Sequence, residues 1–451
     1  MAVLGKPNYV TCTCYELGHT WTPSCFHASA DVAFIVFKQA LKIYGTLYTV
    51  AGILKKKDLK YFKEKILKEI AQSVAFLTTN GTFFISFFCI WRKLLGHFYY
   101  PTTAFIPAAL ASLTAILLER KSRRGLLAIY MANVATETAY RMMLSRGWMK
   151  PVKHGEVLLF SIASAIYLFF FRKGHLPDQT KSALSFLVGK EELPITERRE
   201  EPNHRHHSNK LLNRLKQNQT FQIINKWLQT TPKHSLCQHS YGCAHYVVQG
   251  FVKMFGLGFL VQGGVKLLGA LPRIYKNPGA VLHALKHRDN FRLGAFLGCF
   301  SAIFKSVNCL LRWMCNKDSE IYGLLAGFLA GWSMLWYKSS TIALYTAYKL
   351  AEVLYFKGIS RGLFPYIRCA DIIIYSISTA FVFHVAVLEP HNLRPAYWTF
   401  LLRVTGNRFS LMNRKLLEPL YKDAAKIAPD FWPDYDMRYT NLTRDTVLHK
   451  S

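Results

Sequence analysis

The sequence predicts an all-α, polytopic membrane protein built from two duplicated helical units of four to five helices each. Composition is the first reason: of 451 residues, 51% are hydrophobic and 18% charged, with 32 Phe and 24 Tyr. A soluble chain of this length would form about three domains, but this balance suits a lipid solvent. Second, many apolar stretches approach the roughly 20 residues that cross a hydrocarbon core. Third, the chain repeats itself. "GEVLLFSIASAIYLFFF" begins at Gly155 and "ADIIIYSISTAFVFHVA" at Ala370, which sets Glu156 and Asp371 215 positions apart at the mouths of two matching runs.

The repeat extends well beyond these runs. At the same offset, residues 111–168 align without a gap, and Tyr130 meets Tyr345, Glu137 meets Glu352, Tyr140 meets Tyr355, Ser161 meets Ser376 and Ala165 meets Ala380. Upstream the offset becomes 220, so that Cys89 meets Cys309 and Arg92 meets Arg312. Shared acids, tyrosines and arginines in one register exceed what hydropathy alone produces.

The elements follow in order. Residues 1–32 are a Cys-rich N-terminal region, and residues 33–171 the first membrane repeat. Its leading segment, 33–54, carries Lys38 and Lys42, and spanning with two lysines is costly. Then come "KKKDLKYFKEK" from Lys55 and Leu59, Phe62, Ile66 and Ile70 at helical spacing, which read as an amphipathic surface helix. Apolar runs at 74–91, 103–118, 125–144 and 157–171 are the four crossings. A polar linker with a Cys/His group occupies 172–245; its centre, "EELPITERREEPNHRHHSNK" from Glu191, reads as a disordered linker. The second repeat, 246–388, opens with a segment bearing Lys253 and Lys266 and crosses at 293–311, 321–336, 341–356 and 372–388; residues 389–451 form a C-terminal tail. If the leading segments span, ten crossings result and the halves are inverted, as in many transporters; otherwise eight result and the halves are parallel.

The formal charge of +31 is spread over short connections such as "ERKSRR" from Glu119 and "RGWMKPVKHG" from Arg146. Such loops sit beside anionic lipid headgroups, so the expected partner is the bilayer and not nucleic acid. The first thirty residues lack the basic, apolar and small-residue succession of a secretory leader.

Two groups of cysteine and histidine stand before the leading segments: Cys12, Cys14, His19 and Cys25 in the first half, and Cys237, His239 and Cys243 in the second. Thiolate and imidazole are zinc ligands, but the spacings match no standard zinc signature. A disulfide, in an oxidising compartment, and free thiols are the other readings open at this point.

Glycines at four-residue spacing, Gly294 with Gly298 and Gly323 with Gly327 and Gly331, offer faces for close helix packing. Glu156 and Asp371 read as helix-start anchors, favoured by the positive end of the helix dipole and held at the polar boundary. A candidate intramembrane polar path consists of Glu137, Glu352, Lys305 and Asn308. No phosphate-binding loop, nucleophile elbow or metalloprotease His-Glu pair is present, so no enzymatic activity is expected.

"CYELGHTWTPSC", "ERKSRRGLLAIYMANVATET", "GEVLLF", "LVGKEELP", "FRLGAFLG", "YFKGI", "DIIIYSISTA" and "LRPAYW" occur in one order along the chain. With them the sequence resembles the transmembrane protein 135 family, also called peroxisomal membrane protein 52. The resemblance implies a multipass protein of peroxisomes and mitochondria, linked to mitochondrial fission, peroxisome organisation and lipid metabolism, with the fission machinery or a second copy as partners. The alternative is a carrier or channel for a lipid or small metabolite. Gly298, Phe300, Arg312, Asp318, Gly327 and Gly331 also resemble, with altered spacing, the signature of the mitochondrial inner-membrane translocase channels; this implies fold only.

Overall fold

The computed structural model describes residues 9–54, 58–194, 219–274 and 279–444. Nearly every element is helical. The long helices are α2 (Cys25–Leu54), after a one-turn α1 (Cys14–Leu17), then α3 (Ile66–Leu95), α4 (Phe105–Leu118), α5 (Lys121–Ser145), α6 (Gly155–Arg172) and α7 (Asp178–Val188). They continue with α8 (Cys243–Ile274), α9 (Arg288–Cys315), α10 (Tyr322–Gly331), α11 (Ser340–Ser360), α12 (Ala370–Leu388) and α13 (Pro395–Val404). A two-residue antiparallel ribbon pairs Tyr9 with Tyr99 and Val10 with Phe98.

Local chemistry sets several boundaries. Thr13 and Glu16 form a reciprocal capping box that starts α1, and Gly96, with φ of 72°, ends α3 in the left-handed region that glycine tolerates. The two quoted runs start alike. His154 precedes α6 with φ of 59° and Cys369 precedes α12 with φ of 60°, and Glu156 and Asp371 follow in the respective first turns. The correspondence seen in sequence therefore reaches backbone conformation at these two starts.

Among the described residues, five helices are long and apolar enough to cross a membrane: Lys60–Leu95, Gly155–Arg172, Cys243–Ala270, Ala280–Cys315 and Ala370–Leu388. The protein is thus a multi-pass membrane protein. Four of the eight expected crossings are among these helices, and the fifth is the second leading segment. Its lysines are accommodated: Lys253 lies over the Phe186 ring and donates to the Phe186 carbonyl, and Lys266 pairs with Asp289 at 3.0 Å. Two other expected crossings are the shorter apolar helices Phe105–Leu118 and Tyr322–Leu335. The remaining two, α5 and α11, carry Glu137 with Arg141 and Lys349 with Glu352 as intrahelical ion pairs, which lowers their apolar character.

The helices group into two compact units, Met1–Pro151 with Tyr366–Ser451, and Val152–Pro365. This grouping cuts across the two halves expected from the sequence. α6, the fourth crossing of the first half, packs with α10 and α11 of the second, and α12, the fourth crossing of the second half, packs with α4 and α5 of the first. In the first unit Phe76, Phe84 and Phe88 of α3 meet Tyr375, Val382 and Val385 of α12. In the second, Phe160, Leu168 and Phe171 of α6 meet Phe296, Phe300 and Phe304 of α9.

The linker is only partly as expected. Its flank folds as α7 and a 3-10 turn at Lys190–Glu192, with Val188, Glu192 and Leu193 buried in the second unit. Residues 195–218, which hold the rest of the quoted centre with His204, His206 and His207, lie outside the described residues.

Candidate functional site

Each unit gathers three cysteines and one histidine. In the first, Cys14 of α1, His19, Cys25 at the start of α2 and Cys89 of α3 bring their ligand atoms within 4.8 Å of one another. In the second, Cys237, His239, Cys243 at the start of α8 and Cys309 of α9 do the same. There the Cys237 sulfur stands 3.9 Å from the sulfurs of both Cys309 and Cys243, and Cys309 Sγ stands 3.6 Å from His239 Nε2. All ten cysteines are free of disulfides.

Both histidines are oriented in the same way. His19 Nδ1 lies 2.7 Å from the Thr22 carbonyl oxygen and His239 Nδ1 2.5 Å from that of Tyr241. A carbonyl only accepts, so Nδ1 carries a proton, and in the neutral ring Nε2 then keeps its lone pair. His19 Nε2 is buried without a hydrogen-bond partner, although its ring is fully buried. Hydrogen bonding from Cys89 holds the Cys14 thiol below the usual range against the cost of burial, with His19 assisting, and Cys309 does the same for Cys237. Each quartet can hold one metal ion.

Of the seven cysteine and histidine candidates in the sequence, six are in the quartets. Cys12 is not: its carbonyl accepts from Arg92 Nε at 2.8 Å, and burial pushes its thiol up. The fourth ligands, Cys89 and Cys309, lie 64 and 66 residues beyond Cys25 and Cys243 on apolar helices. The signal that could have found them is the repeat register, which aligns the two.

A family model described as the N-terminal cysteine-rich region of transmembrane protein 135 matches residues 11–144. The likeness covers 134 of the 451 residues. The matched stretch contains the whole of the first quartet. No solved structure matches the chain.

The polar-path candidates fall in different units. Glu137, in the first, is held by Arg394 and by Arg141 at 2.9 Å. In the second, Glu352 pairs with Lys349 at 2.6 Å, and Lys305 Nζ sits 4.0 Å from the centre of the Tyr246 ring. Asn308 accepts from Arg172 at 2.5 Å and donates to the Phe304 carbonyl. Arg172 and Arg312 also share Glu192 and Asp318, and Glu192 is 3% exposed. Glu137 and the Arg172, Arg312, Glu192 and Asp318 group therefore stand in ion pairs, as burial of charge requires, whereas the buried Lys305 meets an aromatic ring and Glu352 is half-exposed.

The glycine faces are occupied by backbone. Added carbons at Gly323 and Gly327 would meet the Leu168 and Ser164 carbonyl oxygens of α6 at 2.6 and 2.8 Å, and Gly331 abuts Ser161. Gly294 and Gly298 approach Phe255 and Phe251 of α8. The basic stretch "ERKSRR" is also engaged internally: Arg123 pairs with the buried Glu119 at 3.0 Å and Arg120 with Glu69 at 2.8 Å.

Sequence reasoning missed a second feature. The first unit encloses a cavity of 170 Å³ among α2, α3, α5, α12 and α13, lined by Val36, Phe76, Phe84, Met131, Phe383 and Leu401 among others. Asn80, 5% exposed, lines it and donates to the Tyr375 hydroxyl at 3.0 Å, while its Oδ1 has no hydrogen-bond partner. Such a cavity cannot be read from sequence, because its walls come from five helices that a single periodicity does not relate.

Proposed function

We propose that this is a non-catalytic multi-pass protein of peroxisomal and mitochondrial membranes that binds an apolar lipid tail and acts in lipid metabolism and mitochondrial fission. The cavity of the first unit is the observation that carries the reading. A cavity of about 150 Å³ lined by Leu, Ile and Phe stays dry and accepts small apolar ligands, and the 170 Å³ space is walled mainly by Phe, Leu, Val and Met, with tyrosines and Arg408 also on its lining. It suits part of one hydrocarbon chain, with Asn80 Oδ1 able to accept from one hydroxyl or protonated carboxyl. The organelle and the biological process rest on the family resemblance. Bilayer lipids and anionic headgroups are the proposed constant partners, with the fission machinery or a second copy as regulated ones.

The carrier or channel reading has less support, since both acids expected to line its path, Glu137 and Glu352, are held in ion pairs. The two readings are separated by experiment. Purified protein in lipid nanodiscs is labelled with a photoreactive fatty acid, and labelling is expected on peptides containing Asn80 and Tyr375. Filling the cavity with Gly81→Phe should abolish it; Gly264→Ala, whose position has no neighbour within 4 Å, should not. Labelling confined to outward-facing residues overturns the binding reading. Flux of the same lipid across proteoliposomes would instead establish the carrier.

A further inference from the structure

We propose that the two quartets are a pair of structural zinc sites, one per unit, made of three thiolates and one imidazole each. Zn–S bonds of about 2.3 Å and Zn–N bonds of about 2.0 Å in a tetrahedron place sulfurs about 3.8 Å apart and sulfur about 3.5 Å from nitrogen. The second quartet has sulfur separations of 3.9 Å and a sulfur to nitrogen separation of 3.6 Å. All four ligand atoms in each group lie within 4.8 Å of one another, so they surround one point. A multi-iron cluster would hold its ligands further apart, around several metals, and a disulfide would use two sulfurs and leave the rest.

The surrounding groups fit the same ion. A ligating histidine commonly donates its other N–H to a carbonyl, which fixes its tautomer; His19 and His239 both do so. Soft thiolates select zinc over magnesium or calcium. Four protein ligands leave no open position, which marks a structural and not a catalytic site.

The topology assigns the role. In each unit two ligands precede a leading helix, the third is the first residue of that helix, and the fourth lies on a following long helix. A metal at this point ties the start of α2 to α3 and the start of α8 to α9. An arginine follows each fourth ligand by three residues, Arg92 after Cys89 and Arg312 after Cys309, so positive charge accompanies a site whose three thiolates and Zn²⁺ sum to −1. The same arrangement occurs in both halves although the spacings inside the quartets differ, which is what a duplicated metal site with drifted loops would show.

The test is metal analysis of the full chain purified in detergent without chelators. Two zinc ions per chain are expected. Cys89→Ser and Cys309→Ser should each remove one, the double variant both, and Cys299→Ser, outside the quartets, none. If the serine variants fail to fold, Cys89→His and Cys309→His preserve four ligands and should retain two zinc ions. Exchange with Co²⁺ should give tetrahedral d–d bands and thiolate charge-transfer bands. Substoichiometric zinc in the unaltered chain, stoichiometric iron in its place, or quartet cysteines recovered as disulfides by non-reducing peptide mapping would overturn the proposal.

Discussion

Gly327→Ala tests the packing that holds the second unit. A methyl carbon there would stand 2.8 Å from the Ser164 carbonyl oxygen and 2.9 Å from the Ala165 Cα, both backbone atoms of α6. Ordinary contacts lie at about 3.5–4.0 Å, so α6 and α10 must separate by roughly 0.6–1 Å. A gap of that size forfeits about a quarter to a half of each contact's attraction, and Gly323 and Gly331 lose theirs with it. Overpacking of this kind costs about 1–3 kcal/mol. For a unit of this size each kcal/mol lowers Tm by about 2–4 °C, so a cost of about 2 kcal/mol should read as roughly 4–8 °C in a detergent melting assay; Gly327→Leu should cost more and lower folded yield. Gly264→Ala is the control, because nothing lies within 4 Å of that position and alanine gains about 0.8–1 kcal/mol of helix propensity over glycine. If Gly327→Ala is as stable as Gly264→Ala, the close-packing argument is wrong.

Arg312→Met leaves Glu192 and Asp318 with one guanidinium fewer inside the second unit; a loss of about 3–5 kcal/mol is expected, and Arg312→Lys should recover only part of it because lysine lacks the planar fork. Unchanged melting of Arg312→Met would show that the network contributes nothing. Glu156→Gln and Asp371→Asn should each lower stability by about 0.3–1 kcal/mol, the value of a carboxylate at a helix start, and leave photolabelling by the fatty acid intact. Loss of labelling in a folded, correctly located variant would make either acid a functional group.

The quoted runs show how far the sequence reads. Their apolar character, the acid in the first turn and the extent of the helix all follow from local composition, and α6 and α12 start and end within a few residues of expectation. The Cys and His candidates were legible because those residue types cluster before the leading segments. Cys89 and Cys309 were not assigned as ligands because a cysteine on an apolar helix reads equally well as core.

By itself the sequence determined the helices, their approximate ends and the membrane environment, since each depends on neighbours within one or two turns or on composition. Only the tertiary structure decided which helices share a unit. α6 and α12 carry the same small residues at matching positions, Ser161 with Ser376 and Ala165 with Ala380, so each offers a similar face to either partner. In lipid, helix association depends on close packing and not on hydrophobicity. The choice was made where Gly323, Gly327 and Gly331 admit the α6 backbone and where Ser112 of α4 donates to the Ser376 carbonyl of α12 at 3.3 Å. The quartets have the same origin, because their fourth sulfurs arrive only when α3 and α9 pack beside the leading helices.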